Sequence, residues 1–191
     1  MTVAAGAAAH RIHSNRRRSL VTLFDNVGHD DPRYTHRGGV YVPTGEGPAR
    51  WFGADLYTMK LRANQTNGAI GFVEAWVPPG GGSVAHTHDK QSETFYLVSG
   101  ELEFLDGDTT FAGHAGDIFF VPPNTRHRFV NTVLEPAKLL FFYTPAGGSE
   151  EVFLEHGDEP QRGVHQEPWG EERFNEAVME SFRRSGTVFL P

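Results

Sequence analysis

From Gly38 to Tyr143 the chain runs in short apolar or alternating segments, cut at close intervals by glycine, proline and asparagine. Turn signals at such regular short spacing point to an all-β sandwich or barrel. Strands are expected over 40–42, 54–61, 70–77, 101–104, 117–121, 126–131 and 137–143. In 54–61, Leu56, Thr58 and Lys60 alternate with Tyr57, Met59 and Leu61; in 70–77, Phe72, Glu74 and Trp76 share one face and Val73, Ala75 and Val77 the other. Asn67-Gly68 marks a turn, and Asp106-Gly107 is the strongest hairpin signal in the chain. Pro78-Pro79 followed by three glycines ends the third strand sharply. Asn64-Gln65-Thr66 fits a glycosylation acceptor but reads as a polar turn.

One stretch in this pattern carries chemistry. His86 and His88 are two residues apart, so a strand there aims both imidazoles to one side as a ligand pair. Glu93 opens an apolar run in which Phe95 and Leu97 share its face, which points a carboxylate toward a core. Carboxylates rarely face a core unless paired or bound to a metal. Farther on, His127, Phe129 and Asn131 lie on one face, while Arg126 and Arg128 point to the other and are expected to form surface ion pairs.

At 191 residues the chain is long enough for one domain with extensions. Its net charge of −7 argues against a nucleic-acid or anionic-membrane surface. Without cysteine, a metal must be held by His, Asp or Glu. No apolar run approaches the length that spans a bilayer. Residues 1–35 read as an N-terminal arm, Ala-rich and then basic, with His10, His13 and the triplet Arg16-Arg17-Arg18. That arm is similar to an export or transit signal, but Asp25 cuts its apolar run short, so a cytoplasmic location is expected. Residues 36–147 read as the barrel and 148–191 as a helical extension. In the extension, Ser149 caps a short helix ended by Gly157; a second begins near Pro168, carries Phe174, Val178 and Phe182 at four-residue spacing, and stops before Gly186. Its apolar side is expected to pack on the barrel. Residues 150–184 hold ten acids against four arginines.

Gly80, His86, His88, Glu93 and Gly100 are spaced as in the first signature of the cupin superfamily; Gly116, Pro122, His127 and Asn131 match the second. Asn124 stands where that second signature has glycine, and asparagine tolerates a left-handed backbone. The chain therefore resembles the cupins over about 80–131, and its flanks resemble single-domain cupins of the quercetin 2,3-dioxygenase-like group. The resemblance implies a double-stranded β-helix, a jelly-roll barrel, with His86, His88, Glu93 and His127 as metal ligands. Three neutral imidazoles and a carboxylate suit one divalent transition metal: iron, manganese, nickel, cobalt, copper or zinc.

Tyr57, Met59, Phe72, Phe95, Phe119, Phe129 and Phe141 are the candidate substrate-pocket residues, with Glu74 the one charged side chain on the faces taken as inward. Such a pocket suits a small aromatic substrate. The leading expectation is a metal-dependent dioxygenase acting with O2 on a flavonol or related aromatic enol, Glu93 serving as ligand and as base. Its competitors are a non-redox cyclase, isomerase or lyase using the metal as Lewis acid, and a non-enzymatic small-molecule-binding cupin. His114, His156 and His165 are expected at the surface. A homodimer is the default oligomer.

Overall fold

The computed structural model describes residues 28–164 and 166–191. The basic triplet, His10, His13 and His165 lie outside the described residues, as does most of the arm. Contacts divide the chain into two compact units, Met1–Gly39 and Val40–Pro191. In the first, the described residues hold one helical turn, α1 (Pro32–Thr35), which Asp31 caps by accepting the Arg33 N–H at 2.8 Å.

The second unit is a two-sheet jelly roll, a double-stranded β-helix. Its strands are β1 (Ala49–Phe52), β2 (Asp55–Leu61), β3 (Gly71–Val77), β4 (His86–His88), β5 (Ser92–Ser99), β6 (Glu101–Asp106), β7 (Thr109–His114), β8 (Ile118–Val121), β9 (His127–Val130), β10 (Ala137–Thr144) and β11 (Thr187–Phe189). One sheet has the order β1-β2-β3-β10-β5-β8, the other β11-β4-β9-β6-β7. Between β10 and β11 come α2 (Ser149–His156), a 3-10 turn (Glu171–Arg173) and α3 (Glu176–Arg184). Every paired neighbour is antiparallel, so period-two alternation sends one set of side chains into the space between the sheets. Val73, Ala75, Val77, Leu97, Leu102 and Leu139 fill it and are sealed from solvent.

The turn chemistry matches the sequence. Asn67 and Gly68 both take positive φ, 52° and 76°, between β2 and β3. Gly107 closes the β6–β7 hairpin, in which Asp106 pairs with Thr109. Asn124 adopts φ 64°, the left-handed backbone its position demands.

Four expectations are corrected. Residues 40–42 form no strand; Val40 and Tyr41 are exposed, with no partner strand to cover them. Phe72 and Glu74 lie on the outer face of β3, because the alternation that buries Val73 and Ala75 turns them outward. There Phe72 stacks on Phe142 at 4.5 Å and Glu74 pairs with Lys138 at 3.0 Å. Gly148, not Ser149, caps α2, which frees the Ser149 hydroxyl for the interior. Finally, α3 begins at Glu176, well after Pro168, behind the cap Asn175, whose side chain accepts from Ala177 and Val178 N–H.

The C-terminal strand β11 was not foreseen. It follows the left-handed Gly186 and pairs antiparallel with β4, setting Thr187 opposite His88 and Phe189 opposite His86. The extension is thereby stitched into the sheet that carries the histidine pair. Val178 and Phe182 of α3 are buried against the barrel core, as their spacing implied. No described helix is long and apolar enough to cross a membrane.

Candidate metal centre and pocket

His86 and His88 sit on β4, Glu93 on β5 and His127 on β9, with His86 directly opposite His127 across the β4–β9 pair. All four are buried, and one ligand atom from each falls within 4.8 Å of the others. Glu93 Oε2 is the centre of the group: 2.9 Å from His127 Nε2, 3.0 Å from His88 Nε2 and 4.0 Å from His86 Nε2.

The far nitrogen of each ring is held separately. His86 Nδ1 donates to Val84 C=O at 2.7 Å and His127 Nδ1 to Thr125 C=O at 2.8 Å, which turns each Nε2 toward the cluster. His88 Nδ1 lies 3.1 Å from Thr187 Oγ1 and 3.2 Å from the Gln91 amide, which in turn reaches Ser149 Oγ at 2.6 Å. Thr187 Oγ1 continues to Ser185 Oγ at 3.2 Å, and that hydroxyl donates to Phe182 C=O at 2.8 Å.

Burial pushes the His86 imidazole down to about 3, helped by the neighbouring histidines, so it is neutral. Burial alone would raise the Glu93 carboxyl, but hydrogen bonds from His127 and His88 outweigh it and keep Glu93 ionised well below the usual range. For His127 burial acts downward, and its bond to Glu93 wins, leaving a net upward shift. Three imidazole Nε2 atoms and one carboxylate converging on a point form a donor set that a divalent transition metal takes by displacing the bridging protons, so the cluster could hold such an ion.

Above the cluster opens a pocket of about 650 Å³, its open mouth included. The barrel gives it Tyr57, Phe129, Phe141 and Tyr143; the C-terminal extension gives it Phe153, Phe174, Phe182 and Phe189. His86, His88 and Glu93 form its ionisable patch, and among the described residues no lysine or arginine lines it. Of the seven pocket residues expected, Tyr57, Phe129 and Phe141 are in place. Phe72 is on the outer face. Met59 and Phe95 are sealed in the core, and Phe119 packs farther along the barrel against Phe95, Phe104 and Phe111. Alternation identifies the inward face but not the position along it, and these three lie outside the pocket lining.

The residues missed are mostly in the extension. Thr187, Ser149, Phe153 and Phe189 reach the site only through tertiary contact, and no local pattern marked them. Gln91 sits between the two motif ligands, and its burial is visible only in the fold. Asp55 had a signal: the alternation that turns Tyr57 and Met59 inward also turns Asp55 inward, and it is fully buried. Arg128 forms the expected outer ion pair, with Glu103 at 2.7 Å, and Arg126 donates to the carbonyls of Gly107 and Leu190. His114 is exposed beside Glu101 and Asp117, whereas His156 is largely buried and hydrogen-bonded to Ser181 Oγ at 2.8 Å.

Residues 74–143 match the family model described as Cupin domain. Among curated proteins, the polyketide synthase CurC of Streptomyces cyaneus is 36% identical over 101 residues, 51% of this chain and 64% of that protein. The quercetin 2,3-dioxygenase of Bacillus subtilis is 29% identical over 88 residues, 46% of this chain and 26% of that protein. The chain thus spans less than two thirds of either relative. A solved structure described as a predicted oxalate decarboxylase from Thermotoga maritima superposes with a TM-score of 0.52 at 24% identity, over 56% of this chain and 99% of that one. KdgF from Halomonas superposes at 0.50 with 19% identity, over 56% of this chain and 94% of that one. At these identities the two structures speak for the fold alone. Residues 74–143 thus match a cupin domain, and the chain folds as a double-stranded β-helix whose buried His-His-Glu-His cluster could hold a metal ion.

Proposed function

We propose that the protein is a metal-dependent dioxygenase of the quercetinase-like type, acting on a flavonol or related aromatic enol. One observation carries this reading: His86, His88 and Glu93 of the four-residue cluster line a pocket whose other described walls are largely aromatic and hold no lysine or arginine. A sugar phosphate or dicarboxylate calls for a cationic clamp, which the described lining does not hold; a flat, neutral aromatic ring fits it. The partial similarity to a quercetin 2,3-dioxygenase supports the same reading.

His86, His88, Glu93 and His127 would hold a divalent transition metal, which would supply Lewis acidity toward an enol oxygen and, if redox-active, O2 chemistry. The protein's part is positional. Phe129, Phe141, Phe153 and Phe182 exclude water and stack the ring, and Tyr143 bounds the pocket beside Glu93. The Glu93 carboxylate, placed beside both the cluster and the pocket, accepts the substrate's hydroxyl proton.

The test is oxygen consumption by metal-loaded protein against a panel of flavonols and polyphenols, with the native metal identified first by elemental analysis. Oxygen uptake matched to substrate loss is expected. No uptake with any member of the panel overturns the reading. Oxygen-independent turnover instead favours a metal-dependent cyclase or isomerase of an aromatic polyketide, a second reading that the similarity to a polyketide synthase CurC supports. A Glu93→Gln variant that retains metal but loses turnover supports the base role.

A further inference from the structure

Behind Tyr57, which lines the pocket, lies a second carboxylate that the cluster does not use. Asp55 opens β2 on its inner face and is fully buried. Its Oδ2 accepts the Tyr57 hydroxyl at 2.8 Å, and its Oδ1 accepts the Gly82 N–H at 3.1 Å. The fit around Oδ1 is tight: a Cβ on Gly81 would stand 2.4 Å from it, and one on Gly82 would strike the Phe129 carbonyl at 2.2 Å. No cation stands among the groups that perturb Asp55.

Holding the Gly80–Gly82 turn needs one neutral acceptor, which Oδ1 supplies and an asparagine would supply equally well. A buried charge without a cation is an expensive way to do it. What the carboxylate adds is a second oxygen, aimed at a phenol that lines the pocket. Tyr57 shares that pocket with His86, His88 and Glu93, its ring held by Phe153 at 4.5 Å and Phe141 at 5.6 Å.

We propose that Tyr57 is a catalytic residue and Asp55 the positioning residue and proton store behind it, a pair that takes, from a phenol or enol bound in the pocket, a hydroxyl proton other than the one Glu93 accepts. In the step, the ligand O–H bond breaks and its proton passes to the Tyr57 oxygen; the Tyr57 O–H bond breaks in concert and its proton passes to Asp55 Oδ2. Tyr57 ends as it began, and one negative charge moves from Asp55 to the ligand oxygen. No oxidant or reductant takes part.

The electrostatics agree. Burial raises the Asp55 carboxyl to about 7, against the hydrogen bonds from Tyr57 and Gly82 that pull it down, so near neutral pH it can both hold and release a proton. Burial and the Asp55 charge push the Tyr57 phenol well above its usual range, so Tyr57 relays and does not ionise. The groups facing Asp55 are Tyr57 on its own strand and the neutral backbone of Gly81 and Gly82; across the pocket stand Tyr143 of β10, Glu93 of β5 and the β4 histidines. Glu93 Oε2 is engaged by two histidines, which leaves this second acceptor unencumbered by the cluster.

The pair deepens the dioxygenase reading and rests on it for its acidic aromatic substrate. Its test needs no turnover. Infrared difference spectra of the purified protein, from about pH 5 to about pH 9, are expected to show a protonated carboxyl that titrates near 7 and is absent in Asp55→Asn. Binding of 4-nitrophenol, coloured only when ionised, is expected to yield phenolate together with a growing carboxyl band. Both Asp55→Asn and Tyr57→Phe should cut the phenolate fraction roughly tenfold, the equivalent of about one pKa unit. Asparagine keeps the Gly82 contact, and Tyr57→Phe removes only an oxygen, so at least one variant should fold for measurement. A wild-type carboxyl that stays ionised across the range, or phenolate yields unchanged in a folded variant, overturns the pair. Failure to consume oxygen overturns the dioxygenase reading and leaves these spectra unchanged.

Discussion

Thr187 Oγ1 lies 3.1 Å from His88 Nδ1, a contact between residues 99 apart in sequence. It gives the ligand histidine an acceptor for its second N–H, which fixes the tautomer and turns Nε2 toward Glu93. Thr187→Val keeps the shape of the strand but leaves that N–H with a methyl group. Metal affinity, measured by chelator competition, should fall roughly 10–100-fold, the usual effect of losing such a partner. Thr187→Ser should stay within a few-fold of wild type. Equal affinity in the valine variant would show that Gln91 alone orients the ring.

Asp55 should leave a pH signature in stability. Its folded carboxyl, near 7 against the ordinary 3.8, binds more protons in the native than in the unfolded state between those values, so its contribution to stability falls as pH rises through that window. Asparagine has no such dependence. Urea unfolding should therefore show Asp55→Asn gaining on wild type from about pH 4 to about pH 7, by at most about 1.4 kcal/mol per pH unit. His86, neutral when folded and lowered to about 3 from 6.5, acts oppositely: its contribution is present above about 6.5 and lost as pH falls toward 3. That loss is common to both proteins and cancels in the difference. A difference that is flat with pH would refute the Asp55 shift.

Phe189 bounds the pocket from β11 and makes an edge contact with Phe182 at 5.1 Å. It is only partly buried, so Phe189→Ala should cost about 2 kcal/mol or less in thermal or urea unfolding. Affinity for a flat aromatic ligand, read by fluorescence quenching, should drop about tenfold because one wall of the site is lost. Metal affinity should not change. An unaltered ligand affinity would place the ligand elsewhere.

Asp158 clasps the extension to the barrel rim. Its carboxylate accepts Trp169 Nε1 at 2.8 Å and Arg173 at 2.9 Å, while its backbone pairs with Trp51. The guanidinium of Arg173 also lies 4.0 Å over the Trp169 ring, and Trp169 packs on Phe52 at 4.5 Å. Asp158→Ala should destabilise by only about 1 kcal/mol, the group being partly solvent-screened. Ligand dissociation should quicken several-fold, because Phe52 and Phe174 at the pocket mouth lose their backing. Stopped-flow release of a fluorescent aromatic ligand measures it, and an unchanged rate would make the clasp irrelevant to the pocket.

The ligand cluster was legible before folding because strands have a strict period of two. That period puts His86 with His88 and turns Glu93 inward with Phe95, and the spacing of the turns implies His127. The same period predicted two faces for β3 without saying which was inward, so Phe72 and Glu74 were placed on the wrong side. Only the neighbouring sheet decides that, by covering Val73 and Ala75.

What the sequence by itself determined is the all-β class, the turns at Asn67-Gly68, Asp106-Gly107 and Asn124, and the four converging ligands, each set by local backbone chemistry or by periodicity. What only the tertiary structure decided is the rest of the site: the Thr187 and Gln91 contacts to His88, the extension's phenylalanines over the pocket, and the burial of Asp55 behind Tyr57. Those contacts join residues distant in sequence, and their energetics depend on removal from water. Neither distance nor solvent exclusion exists in a linear chain until the two sheets close and β11 pairs with β4.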